Sequence, residues 1–170
     1  VFDKGRHIQS FKVGHTFAEN WFAAFGINRN DFRGFLDNRE GKDYTGTDLK
    51  RGYQWLPKQQ YLGNGMLSYQ KGNFRIFYKF DYLNENIDFY NPIVLVTANP
   101  PFGDIRSAND KRYGTERLYN HLNATGKLFQ LNYNVSASYQ KQTRDTEDFR
   151  YNLANEQETN HITTVNNSSE

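Results

Sequence analysis

The chain has 170 residues, with 21 Lys+Arg against 19 Asp+Glu and no cysteine, which excludes a disulfide framework, a thiolate metal site and a polycation built to neutralise phosphates. Mean hydropathy is −0.90 and apolar runs such as Ile93-Val94-Leu95-Val96 fall far short of the roughly 20 residues of a membrane-spanning helix. Aromatic residues nevertheless make up 16% of the chain against 36% for all hydrophobic residues, which argues against disorder and suits strands that alternate large apolar with polar side chains.

In chain order, the first expected strand runs from His7 to His15, with Gln9, Phe11 and Val13 alternating against Ser10, Lys12 and Gly14. It turns through Thr16 to Asn20 into Trp21, Ala23, Phe25 and Ile27, so positions 7 to 28 read as a hairpin. Residues 29 to 58 are dense in Gly, Asp, Asn and Arg and read as a long connection. Within it Trp55, beside Tyr53, Leu56 and Pro57, is a candidate for ligand or partner contact. A second hairpin covers positions 60 to 84: Gly65, Leu67 and Tyr69 approach a turn at Gln70-Lys71-Gly72-Asn73. Beyond it Phe74, Ile76, Tyr78, Phe80 and Tyr82 share one face while Arg75, Phe77, Lys79 and Asp81 share the other.

Residues 87 to 116 read as another long connection, containing an apolar, Pro-rich run from Tyr90 to Phe102 in which Pro100 and Pro101 bar a central strand. Tyr90, Phe102 and Arg112 are its candidates for contact with a ligand or partner. The third hairpin opens with Leu118, Leu122, Ala124 and Leu128 and turns near Phe129-Gln130. It returns through Leu131, Tyr133, Val135, Ala137 and Tyr139, opposed without error by Asn132, Asn134, Ser136, Ser138 and Gln140. From Thr143 onward the chain reads as a polar tail, with a short alternation at Phe149, Tyr151 and Leu153 that is either a seventh strand or an ordered loop.

The expected fold is all-β: antiparallel transmembrane β-barrel strands, about six of them in three hairpins. Short turns at one end and long loops at the other are the asymmetry of outer-membrane barrels. About six strands cannot close such a wall, since single-chain bacterial barrels start at eight, and lipid does not tolerate open edges. The chain is therefore expected to be part of a larger barrel. On this reading Trp21, Phe25, Phe74, Tyr78, Phe80, Tyr82, Tyr133 and Tyr139 face lipid or form aromatic girdles, and Arg75, Lys79, Asp81, Asn132 and Asn134 face the lumen.

Catalytic patterns are thin. His7, His15, His121 and His161 have no metal-ligand spacing, and Ser136 and Ser138 lie mid-strand without a nucleophile elbow. The carboxylates Asp37, Glu40 and Asp43, and Asp145, Glu147 and Asp148, read as charge on wet loops. No enzyme activity, catalytic residue, metal or cofactor is expected, nor any nucleic-acid partner.

The stretches TFAENWFAAFGINRNDFRGFLDN (Thr16 to Asn38), GNFRIFYKFDYLNENIDFY (Gly72 to Tyr90) and RYGTERLYNHLNATGKLFQLNYNVSASYQKQTRDTEDFRYNL (Arg112 to Leu153) resemble the barrel region of TonB-dependent outer-membrane receptors, particularly those of Bacteroidetes-type bacteria. The resemblance implies a 22-stranded barrel plugged by a separate domain, importing a metal chelate, vitamin or glycan across the bacterial outer membrane. The plug, through which the TonB complex would act, is not recognisable here, so residues 1–170 would form a partial barrel domain. Outer-membrane lipid, a small-molecule or glycan substrate and a surface lipoprotein docking on the loops are the partners it implies. The competing readings are a soluble carbohydrate-binding β-sandwich and a complete small eight-stranded barrel.

Overall fold

The computed structural model describes residues 5–33, 41–43, 51 and 56–170. They form one antiparallel sheet: β1 (Arg6–Phe17), β2 (Trp21–Phe32), β3 (Lys58–Lys71), β4 (Phe74–Phe89), β5 (Leu95–Thr97), β6 (Ile105–Leu128), β7 (Leu131–Asn152) and β8 (Gln157–Ser169), with a single 3₁₀ turn at Gly41–Asp43. Strand order is β1-β2-β3-β4-β6-β7-β8, a meander in which each long strand pairs with the next, and β5 pairs with the loop-side end of β6 beyond β4. Among the described residues β1 and β8 do not pair with each other, so the sheet is open.

The three hairpins turn where the sequence places them. Ala18, Glu19 and Asn20 connect β1 to β2, Gly72-Asn73 connects β3 to β4, and Phe129-Gln130 connects β6 to β7. Gly72 takes a positive φ of 57°, which costs it nothing, whereas Ala18 (48°) and Glu19 (57°) hold the same left-handed region with a Cβ in place.

Strand length is where the structure departs from the sequence reading. β6 has 24 residues and β7 has 22, roughly 80 Å and 75 Å at the usual rise, where the alternation marks a strand only over Leu131–Gln140 in β7. The connection expected over residues 87–116 shrinks to 90–104, because β4 continues to Phe89 and β6 begins at Ile105. The expected polar tail is instead the far half of β7 followed by β8, and the alternation at Phe149 and Tyr151 belongs to β7. These extensions escape notice because neither face of Lys111–Arg117 or Lys141–Asp148 is apolar, so period two has no contrast to display.

Six strands, β1, β2, β3, β4, β6 and β7, run the length of the three hairpins, while β5 and β8 pair only with the loop-side ends of β6 and β7. The buried hydrophobic residues, Tyr90, Ala108, Phe149 and Tyr151, also lie at that loop side. Among the described residues the turn-side half is a single layer.

Candidate functional site

The pairing registers place one face of the turn-side half beyond dispute. Tyr133 stands opposite Gly126, Val135 opposite Ala124 and Leu122 opposite both Ala137 and Tyr78. Tyr78 stands opposite Leu67, Leu67 opposite Ala23 and Ala23 opposite His15. Directly paired residues share a face, so Phe11, Val13, Phe17, Trp21, Phe25, Ile27, Tyr61, Leu67, Tyr69, Phe74, Ile76, Tyr78, Phe80, Tyr82, Leu118, Leu122, Leu128, Leu131, Tyr133, Val135 and Tyr139 form one apolar surface. All eight aromatics singled out in the sequence are on it. Over this span it carries no Asp, Glu, Lys or Arg; apart from tyrosine hydroxyls its polar side chains are His15 and Asn120, and Asn120 accepts a hydrogen bond from Tyr78 Oη.

Rings collect at both rims. On the turn side Trp21 lies 6.3 Å from Phe17 and 4.9 Å from Tyr69, and Tyr69 lies 6.2 Å from Phe74. On the loop side stand Tyr61, Tyr82 and Tyr139, and Tyr82 Oη donates to Glu116 at 3.0 Å. One step further every strand turns polar on this face: Phe11 gives way to Gln9, Ile27 to Arg29, Tyr61 to Gln59, Tyr82 to Asn84, Leu118 to Glu116 and Tyr139 to Lys141. From Tyr69 to Tyr61, or Phe74 to Tyr82, eight residue steps cover about 27 Å along the strand. The band also runs obliquely across the ladder. The pair Phe17↔Trp21 is level with Ile76, Phe74 lies two residues beyond, and Leu128↔Leu131 lies two beyond the level of Phe74.

Arg75, Lys79, Asp81, Asn132 and Asn134 share the opposite face, as expected from the alternation. Arg75 covers the Phe77 ring at 5.5 Å, Lys79 pairs with Asp81 at 2.9 Å, and Asn123 Nδ2 donates to Asn134 Oδ1 and Ser136 Oγ, each at 2.7 Å. His121 bridges Phe77 (5.6 Å) and Tyr119 (6.3 Å) on this face.

The loop side holds two polar centres that the sequence does not announce. In the first, Arg51 from the β2–β3 connection is fully buried against Asp110 of β6. Its Nη1 donates to Asp110 Oδ1 at 2.8 Å and to the Asn91 carbonyl at 2.8 Å, and Nη2 donates to Asp110 Oδ2. The Asn91 amide donates to Asp110 Oδ1 at 3.0 Å, and the rings of Tyr90 and Tyr151 lie 5.8 Å from the guanidinium. Tyr90, a contact candidate from sequence, is thus a buried part of this anchor. Phe102 is 86% exposed, and Ile93 and Val96 beside it are exposed too. Trp55 lies outside the described residues.

Arg112 organises the second centre from within β6, where the sequence reading placed it in a loop. It meets Asp88 of β4 (3.0 Å), Glu147 of β7 (3.1 Å) and Glu158 of β8 (3.3 Å), over the Phe149 ring at 5.1 Å. Burial acts to lower the guanidinium pKa, but the hydrogen bond and charge of Asp88, with the charges of Glu158 and Glu147, outweigh it and raise it. Glu147 also meets His161 Nδ1 at 2.7 Å, and that hydrogen bond is the main cause holding its carboxyl below the usual range; partial burial opposes it and Arg112 assists. A carboxyl with a depressed native pKa contributes stability above its unfolded pKa and loses it as pH falls through the native value. Amide protection in β8 is accordingly expected to fall between about pH 5 and pH 3, and Glu147→Gln to flatten that slope. Hydrogen exchange followed by mass spectrometry measures it, and an unchanged slope in the variant would refute the assignment.

No family model matches the chain, and no curated protein is similar enough to count as a relative.

Proposed function

We propose that the chain is a stretch of the wall of a TonB-dependent outer-membrane receptor, which imports a scarce nutrient such as a metal chelate, vitamin or glycan. The observation that carries the membrane reading is the charge-free apolar surface of the turn-side half, which no second layer covers among the described residues. A soluble sheet buries its apolar face against another layer, and a sandwich needs a second sheet for that purpose. Lipid needs only what is here: an apolar band of about 25 Å, girdles of rings at its rims and a polar opposite face. Oblique rims are what tilted strands give when a flat bilayer crosses them.

Open edges support a wall larger than this sheet. Among the described residues β1 pairs only with β2, and β7 lacks a partner over Leu131–Tyr139 on the side where β8 accompanies Lys141–Asn152. Backbone groups left unpaired at that depth are not tolerated by lipid, so further strands belong against both edges. Eight strands are present, but only six have the band to cross, which disfavours a complete eight-stranded barrel. The receptor identity, its plug and TonB contact, and a surface lipoprotein on the exposed Ile93, Val96 and Phe102 follow from the resemblance of the hairpins, and nutrient passage would use the polar face.

The test is solubilisation with a depth probe. With Trp55→Phe leaving Trp21 as the sole indole, the chain should be β-rich only in micelles, and a detergent brominated on its acyl chain should quench Trp21. No compact heat-resistant band should form on electrophoresis, because the wall is open. A monodisperse, β-rich and unquenched chain in plain buffer would sink the proposal.

A further inference from the structure

Toward the loops, the polar face of the sheet sets its side chains in rows across four strands. Asn64, Asp81, Tyr119 and Gln140 stand opposite one another on β3, β4, β6 and β7, and Leu62, Leu83 and Arg117 form the next row toward the loops. The two rows line a concavity of about 410 Å³, within the range of small-ligand sites. Charge around it is unequal. Asp81 is paired with Lys79 at 2.9 Å. Glu85, one row further on, accepts from Gln60 Nε2 at 2.7 Å, and that chain of hydrogen bonds runs back through Asn30 to the Arg6 guanidinium. Arg117, by contrast, makes no hydrogen bond or ion pair among the described residues. Arg144, its diagonal neighbour on β7, meets only the Tyr113 ring at 5.0 Å among them. The side-chain amides of Asn64 and Gln140 are likewise uncommitted among the described residues.

We propose that this concavity binds an acidic oligosaccharide, with the carboxylate of a uronate unit on Arg117, an inference that rests on the nutrient passage proposed above. A guanidinium fork matches a planar carboxylate through two parallel hydrogen bonds. Each amide offers a donor and an acceptor side by side, the pattern that neighbouring sugar hydroxyls require, and the Tyr119 hydroxyl adds one more such group. Leu62, Leu83 and the Tyr119 ring supply apolar surface for the C–H face of the sugar ring. Arg144 is one diagonal step away, about 7–8 Å between strand positions, and takes the carboxylate of the next unit. A compact polyanion would satisfy the arginines and leave both amides idle. A neutral sugar would satisfy the amides and leave Arg117 without a counter-charge.

The full chain in polyoxyethylene-ether micelles, titrated at one ionic strength with trigalacturonate, citrate and maltotriose and followed by calorimetry, tests this. Trigalacturonate should bind about tenfold tighter than citrate, which has the same charge without a sugar, and than maltotriose, which has the sugars without charge. Arg117→Gln should weaken trigalacturonate about tenfold and leave maltotriose unchanged. Lys141→Gln removes the same charge at nearly the same depth on the opposite face and should change nothing. Arg117 holds no other side chain in place, so its substitution leaves the sheet intact, which retained quenching of Trp21 by brominated detergent checks. Citrate or maltotriose binding as tightly as trigalacturonate, an affinity unmoved by Arg117→Gln, equal losses in the two variants, or no binding of any probe overturns the proposal. Quenching of Trp21 in the unsubstituted site reports on the membrane reading separately. Quenching without selective binding removes the concavity alone, and absence of quenching removes both.

Discussion

Asp110→Ala is expected to release the loop side of the sheet at a cost of about 3–5 kcal/mol, because it leaves the fully buried Arg51 guanidinium without its counter-ion. Three segments meet at that pair. Arg51 belongs to the β2–β3 connection, Asn91 follows β4, and Asp110 is part of β6; the Asn91 amide and carbonyl are each satisfied by one partner of the ion pair. Losing the carboxylate therefore strands a charge and a backbone amide together. At 1.4 kcal/mol per decade, hydrogen exchange in the first residues of β6 should accelerate about 140- to 4,000-fold. Trypsin should also cut after Arg51, which is buried in the native chain. The double variant Arg51→Met, Asp110→Leu separates charge from packing: among the described residues Arg51 Nε already lacks an acceptor, so exchanging the whole pair for apolar side chains should cost far less than either single change. If Asp110→Ala leaves both exchange and cleavage unchanged, the pair does not anchor the loop side.

How much of this was readable from sequence depends on contrast. Leu131 to Gln140 alternates large apolar with polar side chains at every step, so its two faces, and with them Tyr133, Tyr139, Asn132 and Asn134, could be assigned before any register was known. Phe74 to Tyr82 allows the same assignment with one exception, Phe77 on the polar face. Past Lys141 on β7, or before Arg117 on β6, Lys, Thr, Arg, Asp and Glu occupy both faces alike; strand persists there because neighbouring strands already supply the pairing, which leaves no local mark. Arg51 and Asp110 lie 59 residues apart, and their meeting is a product of topology that spacing cannot express. Glu147 and His161 are closer, but only the β7–β8 pairing, which sets Glu147 opposite Thr163, brings His161 into diagonal reach two residues along the same face.

Leu122→Arg decides between water and lipid more sharply than any other single change. Leu122 lies near the middle of the band on β6, between Leu118 and Leu128, and is 44% exposed in the sheet. In an aqueous protein an exposed leucine replaced by arginine shifts stability by no more than about 0.5 kcal/mol in either direction. At the midplane of a bilayer the same replacement on the lipid face of a barrel costs about 2–4 kcal/mol, since the guanidinium must be dragged toward the headgroups or left poorly solvated. Ser138→Arg is the control: Ser138 pairs with His121 on the polar face at nearly the same depth, and a wet face accepts the charge. In zwitterionic micelles, urea midpoints converted with a common m-value should separate the two variants by about 2 kcal/mol or more. The depth profile adds a second constraint. Moving the arginine along the same face to Leu128, at the turn-side rim, should recover most of the loss, because the charge then reaches water within one side-chain length. Equal, small effects at all three positions would mean that water, and not lipid, covers the aromatic face.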